Sequence, residues 1–289
     1  MSAQTRPPVM KVFRHWKQHY GLLGSLDLLK TRNFLSGLGN LHRHWVGKPR
    51  VLLANRPRAR EWSARRINSI LHGLPSGDSY LEVGVWSGRT LERIHAATRY
   101  GVDPAPRFDL SHLPDDLHFF EGTSDEFFMQ LPEDAEFDVV FLDGLHTFQQ
   151  TYQDLMNALN HTHNGVVLVD DTVPGDEVSA IPDQDVSLAR RSQLGMTGTP
   201  WHGDVYKLVI CIERHLSELD FRTIVGSGNP QTLFWRRSPN VEVAPPTTTE
   251  ISEIADLSFN DVFFDGIPSL FNPCSEQKAL SALFRAIAS

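Results

Sequence analysis

Tyr80-Leu81-Glu82-Val83-Gly84-Val85-Trp86-Ser87-Gly88-Arg89-Thr90 is the stretch on which the fold turns. An apolar run ends at the acid Glu82 and passes through a turn punctuated by Gly84 and Gly88 into a segment that reads as helical. Glycine lets the backbone bend there and approach a ligand closely. In an open α/β sheet, ligands sit beyond the carboxyl ends of the strands, so this turn is a candidate cofactor floor. The spacing is Gly-x-x-x-Gly, whereas the dinucleotide fingerprint is Gly-x-Gly-x-x-Gly, which disfavours a nicotinamide cofactor. Any tight strand-to-helix turn also uses glycine, so the segment needs company.

Company comes from both sides. Strand-like runs are expected at Ser79–Val83, Tyr100–Val102, Leu117–Phe120, Phe137–Leu142, Gly165–Val169, Tyr206–Cys211 and Leu233–Trp235. Helical patterns are expected at Arg89–Thr98, Phe148–Asn160 and Val186–Gly195. Strands alternating with helices imply a parallel α/β sheet. The 289 residues accommodate one such domain with appendages. Three parts are expected: a basic, mostly helical extension over 1–66, the α/β domain over 67–237, and 238–289. The last part opens with a Pro/Thr linker and ends in an amphipathic helix at Ser275–Ala288, with Leu280, Leu283, Phe284 and Ile287 on one stripe.

Composition removes several function classes. Hydrophobic residues make up 40% and charged residues 21%, which excludes wholesale disorder. No apolar stretch reaches the roughly 18 residues of a membrane span. The N-terminus lacks the apolar core of a secretory signal, so a cytoplasmic protein is expected. Cys211 and Cys274 are too few for a disulfide framework or a four-thiolate zinc site. The net charge of −8 conceals a basic head. Residues 1–66 carry about +12, leaving about −20 for the remainder. That head lacks the aromatic spacing of a nucleic-acid platform, so no nucleic acid is expected and docking on acidic surface is preferred.

Further acids close the strands. Asp103, in Tyr100-Gly101-Val102-Asp103-Pro104, suits the two hydroxyls of an adenosine ribose, since a carboxylate accepts from both; an Asp-Pro turn is the plainer reading. Glu121-Gly122-Thr123-Ser124 offers short polar groups to an adenine edge or, equally, an ordinary helix cap. Phe137 to Leu142 stops at Asp143, with His146 three residues on, and Gly165 to Val169 stops at Asp170-Asp171. Three carboxylates and an imidazole at neighbouring strand ends call for a compensating cation. Oxygen-rich ligation points to Mg²⁺, with Ca²⁺ or Mn²⁺ open.

With these residues in place the sequence resembles the class I S-adenosylmethionine-dependent methyltransferases. Within them it is similar to the metal-dependent small-molecule O-methyltransferases, which include enzymes methylating sugar hydroxyls of macrolide and aminocoumarin antibiotics. The resemblance spans roughly 70–237 and rests on Glu82-Val83-Gly84-x-x-x-Gly88, Asp103, Asp143-Gly144-x-His146 and Asp170-Asp171. The segments Gly203-Asp204-Val205-Tyr206-Lys207 and Gly228-Asn229-Pro230-Gln231-Thr232 support it. It implies a Rossmann-like sheet, mostly parallel with an antiparallel last strand and helices on both faces. It also implies S-adenosylmethionine bound by Glu82, Gly84, Trp86, Ser87, Gly88, Asp103, Ser124 and Asp143. By the same resemblance Asp143, Asp170 and Asp171 ligate Mg²⁺, His146 is the base with Asp143 also catalytic, and the partner is a small-molecule hydroxyl acceptor. The family often reads His-Ser-Tyr-Glu where this chain has His146-Thr147-Phe148-Gln149.

Some readings stay open on the sequence. Trp86 could cover a sulfonium by a cation–π contact, although packing is the preferred role. The long acidic loop 173–185 and Trp201-His202-Gly203-Asp204 could line an acceptor pocket or simply be turns. A metal-free methyltransferase, a nucleotide-dependent enzyme such as a dehydrogenase, an idle scaffold and a homo-oligomer all remain compatible with the chain.

Overall fold

The computed structural model describes residues 62–198, 200–239 and 241–288. The expected basic extension therefore lies outside the described residues except for its last five positions. Those positions open α1 (Trp62–Gly73), which runs through the anticipated boundary at 66/67.

Eight strands form one sheet: β1 (Ser79–Val83), β2 (Thr98–Val102), β3 (Leu117–Phe120), β4 (Val139–Leu142), β5 (Val167–Val169), β6 (Leu219–Ile224), β7 (Gln231–Arg236) and β8 (Pro273–Cys274). Their order is β3-β2-β1-β4-β5-β7-β6-β8. Strands β1 to β5 pair in parallel, and β7 runs antiparallel to both β5 and β6. This is the expected Rossmann-like sheet. β4 and β5 are buried at every position. Covered on both faces, such strands read as unbroken apolar runs, which is why the sequence shows them so plainly.

Alternation assigns the faces. Tyr80, Val139, Phe141, Leu168, Leu233 and Trp235 share one buried cluster with Ala64, Ile67, Ile70 and Leu71 of α1 and Leu283 of α8 (Glu276–Ala288). The expected C-terminal helix is thus part of the core. Arg65 and Arg66 of α1 both reach Glu276 at the start of α8. Four more helices are α2 (Ser124–Gln130), α3 (Phe148–Asn160), α4 (Gln184–Gln193) and α5 (Tyr206–His215). Of these, α3 packs against β4 and α5.

Two sequence expectations fail. The helix expected at Arg89–Thr98 is only a 3₁₀ turn at Leu91–Arg93. Strand β2 begins at Thr98, so too few residues remain for a helix to run back along the sheet at 1.5 Å per residue. The strand expected at Tyr206–Cys211 is instead the helix α5, buried from Tyr206 to Ile212. A helix buried all round presents the same apolar run as a central strand, and periodicity does not separate them. Not anticipated from the sequence are β6, β8 and the helices α6 (Thr248–Ala255) and α7 (Phe259–Phe263). Thr247, within the expected Pro/Thr linker, caps α6 in a capping box with Glu250.

Leu168, wholly buried in β5, tests this packing. Leu168→Ala should lower unfolding free energy by about 2–5 kcal/mol in urea denaturation. A loss below about 1 kcal/mol would contradict the buried position.

Candidate active site

β1 and β4 are neighbours whose following strands, β2 and β5, lie on opposite sides of the pair. Such a switch point leaves a crevice at the carboxyl ends. Gly84 (φ +88°) leaves β1 so close to β4 that an added Cβ would lie 2.0 Å from the Asp143 carbonyl oxygen. The Val85–Gly88 turn follows, closed by Gly88 N–H donating to Val85 O at 3.0 Å. Trp86 sits at φ +46°, unusual for a bulky residue. Its N–H donates to Asp103 Oδ2 at 2.6 Å, and its carbonyl accepts from Arg107 N–H at 2.6 Å. The other Asp103 oxygen, Oδ1, accepts from Ala105 N–H at 2.7 Å. Asp103 therefore braces the glycine turn from the end of β2.

The Trp86 side chain is 60% exposed, which corrects the preferred packing role. Ser87 is half-buried in the turn. Glu82 is buried beneath it and accepts a hydrogen bond from the Tyr80 hydroxyl at 2.8 Å. Burial holds its carboxyl well above the usual range, with the Tyr80 hydrogen bond opposing. Thr123 is the N-cap of α2 in a capping box with Glu126, as the plain reading of that segment expects. The adjoining Ser124 is buried, and its Oγ accepts from Gln150 Nε2 at 3.3 Å.

At the ends of β4 and β5 the acids gather. His146 Nε2 lies 3.5 Å from Asp143 Oδ1, and its Nδ1 lies 3.1 Å from Asp171 Oδ2. One donor atom each from Asp143, His146 and Asp171 falls within a 4.8 Å cluster. Asp170 is outside that group. Its Oδ1 accepts from Asp171 N–H at 2.9 Å and from the Asn229 side-chain amide. The same amide donates to Asp171 Oδ1 at 2.8 Å.

Burial raises Asp143 to about 6, Asp170 adding to the effect. Burial and then the Asp171 charge raise Asp170 to about 7. Asp171 rises to about 6, chiefly by burial, with His146 opposing. Burial pulls His146 down, but the Asp143 hydrogen bond and three carboxylate charges outweigh it and lift the imidazole to about 9.

The surroundings position His146. Trp201 stacks on its ring at 4.6 Å and 10°. Trp201 Nε1 in turn donates to Ile181 O at 2.8 Å. Gly203 (φ +61°) lies where a Cβ would come within 1.6 Å of the His146 carbonyl oxygen. Asp204 accepts from Phe148 N–H at 2.8 Å at the start of α3, and Thr147 is that helix's N-cap. His202 is mostly buried, its Nε2 3.7 Å from Asp171 Oδ1. Burial, then His146, pushes it down to about 4. The acidic loop is packed down by Arg191, which donates to both Asp176 oxygens at 2.6 and 2.8 Å, and by Ser187, which donates to Val178 O at 2.6 Å.

In the sequence Asn229 stands out only as part of a hairpin segment, and Leu145 only as the spacer between Asp143-Gly144 and His146. Leu145 is 58% exposed between Asp143 and His146. Nothing local could announce the Asn229 contact, because a turn 58 residues downstream supplies it.

A family model described as a methyltransferase domain matches residues 81–172, from β1 to just past the Asp170-Asp171 pair. None of the curated protein sequences matches the chain. Among solved structures, phosphoethanolamine N-methyltransferase 1 of Haemonchus contortus is 13% identical with TM-score 0.46, over 76% of this chain and 53% of its own. Magnesium protoporphyrin IX methyltransferase of Synechocystis is 10% identical with TM-score 0.38, over 79% and 99%. MycE, from the mycinamycin biosynthetic pathway, is 19% identical with TM-score 0.34, over 59% and 48%. These likenesses are too distant to transfer an acceptor. The sheet order, the strand-end acids and the domain match define a class I methyltransferase fold. Over residues 81–172 the chain carries a methyltransferase domain.

The site carries a pH signature in the metal-free chain. Asp143, Asp170 and Asp171 lie at about 6, 7 and 6, above their ordinary value near 4. From about pH 4 to 7 the folded chain holds more protons than the unfolded one, so stability falls as pH rises. His146, raised to about 9, adds stability below about pH 6.5 that is lost as pH climbs towards 9. Thermal melts in chelator should therefore show Tm declining from about pH 5 to 9. A Tm that climbed over that range would refute these assignments.

Proposed function

We propose that the enzyme is a divalent-cation-dependent O-methyltransferase. It transfers the methyl group of S-adenosylmethionine to a hydroxyl of a small molecule with two neighbouring oxygens, such as a sugar or another natural-product scaffold. The observation that carries this reading is the gathering of Asp143, Asp171 and the adjoining Asp170 beside His146, next to the glycine turn that opens the crevice.

The residues fit both groups. Three raised carboxyls face a single imidazole, and the Nδ1 atom of His202 is buried with no hydrogen bond among the described residues. Asp143, Asp170 and Asp171 would hold Mg²⁺ or a similar hard cation. Glu82, Gly84, Trp86, Ser87 and Gly88 would cradle the methionine end of the cofactor, with Ser124 towards the adenine. Asp103 would take the ribose, since each oxygen has accepted one backbone N–H and retains acceptor capacity.

When bound, the cofactor supplies an activated methyl group, and the cation supplies positive charge that makes an acceptor hydroxyl more acidic. The protein aligns donor and acceptor, which is a large share of the acceleration in a displacement between two bound molecules. With the carboxylate charge taken up, His146 loses the interactions that lift it and returns towards the range where an imidazole accepts a proton. Trp201 keeps the ring plane fixed while it does so. Trp86, in the glycine turn, and Leu145, between Asp143 and His146 in the chain, are both exposed and available to an acceptor.

Methyl transfer to diol acceptors should vanish in chelator and return with Mg²⁺, while calorimetry shows S-adenosylhomocysteine binding largely retained. Full transfer in chelator would move the enzyme to the metal-free class. His146→Ala should keep cofactor and metal binding but slow turnover on the order of 10²-fold. Wild-type turnover in that variant would remove His146 as the base.

A further inference from the structure

Two adjacent residues of a strand ordinarily point to opposite faces. Asp170 and Asp171 escape this because Asp171 adopts φ +57°, a left-handed conformation uncommon for a non-glycine residue. In that conformation the chain sets two like charges side by side, and something has to hold them there. The holding group is Asn229, whose single side-chain nitrogen donates to Oδ1 of both acids. Because the donated hydrogens carry partial positive charge, the amide also relieves the repulsion that it fixes in place.

Asn229 is itself held from behind. Its carbonyl oxygen accepts from Arg66 Nη1 at 2.7 Å. Arg66, with no exposed surface, has five acceptors: Glu276 Oε2, Asn229 O, Gln231 Oε1, Ser227 O and Ser227 Oγ. A guanidinium has five N–H donors in a fixed fork, so the set is matched in number. Four of the five acceptors lie in the turn 227–231. Helix α1 also closes on this turn from another side, since a Cβ on Gly228 (φ +66°) would lie 2.1 Å from the Trp62 ring. Burying a guanidinium is costly, and Glu276, which Arg66 shares with Arg65, answers only its Nε. The remaining donors are spent on one segment, the one whose amide reaches the acids.

We infer that Asn229, seated by the buried Arg66, is the positioning residue that aligns Asp170 and Asp171 for the cation. The inference rests on the metal-dependent reading above. It makes α1, which precedes the sheet, a working part of the site. Groups that orient metal ligands commonly change metal affinity by 10–100-fold when removed.

The test is Mn²⁺ titration of the full chain, followed by the electron paramagnetic resonance of free Mn²⁺, alongside calorimetry with S-adenosylhomocysteine. The wild type should bind Mn²⁺. Asn229→Ala should bind it about tenfold or more weakly. Arg66→Lys keeps the charge but has only three donors and no fork, and should weaken Mn²⁺ in the same direction. The double variant should be no weaker than the product of the two effects and close to Asn229→Ala alone, because both changes act through one turn. S-adenosylhomocysteine affinity should stay near wild type throughout, a split that a general loss of structure would not give.

Wild-type Mn²⁺ affinity in Asn229→Ala would overturn the inference and leave the metal reading standing. Parallel loss of Mn²⁺ and S-adenosylhomocysteine in Asn229→Ala would overturn it too, by making Asn229 a folding residue. The same parallel loss in Arg66→Lys would remove Arg66 from the role. A wild type that binds S-adenosylhomocysteine but no Mn²⁺ would bring down the metal reading and this inference together.

Discussion

Asp143, Asp170 and Asp171 stand at adjoining strand ends where burial removes the water that would screen them. Repulsion between carboxylates in such a place is large enough to shift protonation by pK units, and the neighbouring structure is arranged around it. His146 sits between Asp143 and Asp171, so one imidazole faces two acids. Asn229 bridges Asp170 and Asp171. Neither neutralises three charges; burial above all, with repulsion between the acids adding to it, keeps the carboxyls raised, and the Asp143 hydrogen bond and the acids' charges keep His146 charged. A hard divalent cation answers that imbalance better than either, which is why the electrostatics and the proposed chemistry point the same way.

The elements around the acids differ in how they are secured. Asp103 fastens the glycine turn through two backbone N–H groups and holds Trp86 in its left-handed conformation. Trp201 stacks on His146, Gly203 lies against its carbonyl, and the Asp176–Arg191 pair pins the acidic loop. Strain at Trp86 and Asp171 is thus confined to the crevice and overdetermined by hydrogen bonds, as is common where backbone geometry serves a site. Arg66 performs the same service for the hairpin turn from α1. Trp86 and Leu145, in the turn after β1 and the segment after β4, are exposed large hydrophobic residues.

Much of this was readable along the chain. β4 and β5 announce themselves as buried apolar runs, and the acids that end them follow at once in sequence. Those acids stay together because neighbouring parallel strands finish at the same edge of the sheet. Arg89–Thr98 and Tyr206–Cys211 misled for physical reasons already visible in the pattern: one segment was too short to return as a helix, and the other was apolar on every side. β6 is hard to read because the buried Leu219, Phe221 and Ile224 are interleaved with the polar Asp220, Arg222 and Thr223, leaving no apolar run.

The sequence by itself determined the sheet's class and the strand-end carboxylates, because both depend on local runs and on which residue closes each run. Tertiary structure alone decided how those carboxylates are oriented. Asn229 reaches them from the β6–β7 turn, Arg66 reaches Asn229 from α1, and Trp201 reaches His146 from beyond α4. Each contact joins residues dozens to more than a hundred and fifty positions apart, so no local pattern encodes it. The partners meet only once the sheet order has brought the ends of β4, β5 and β7 and the start of α1 together.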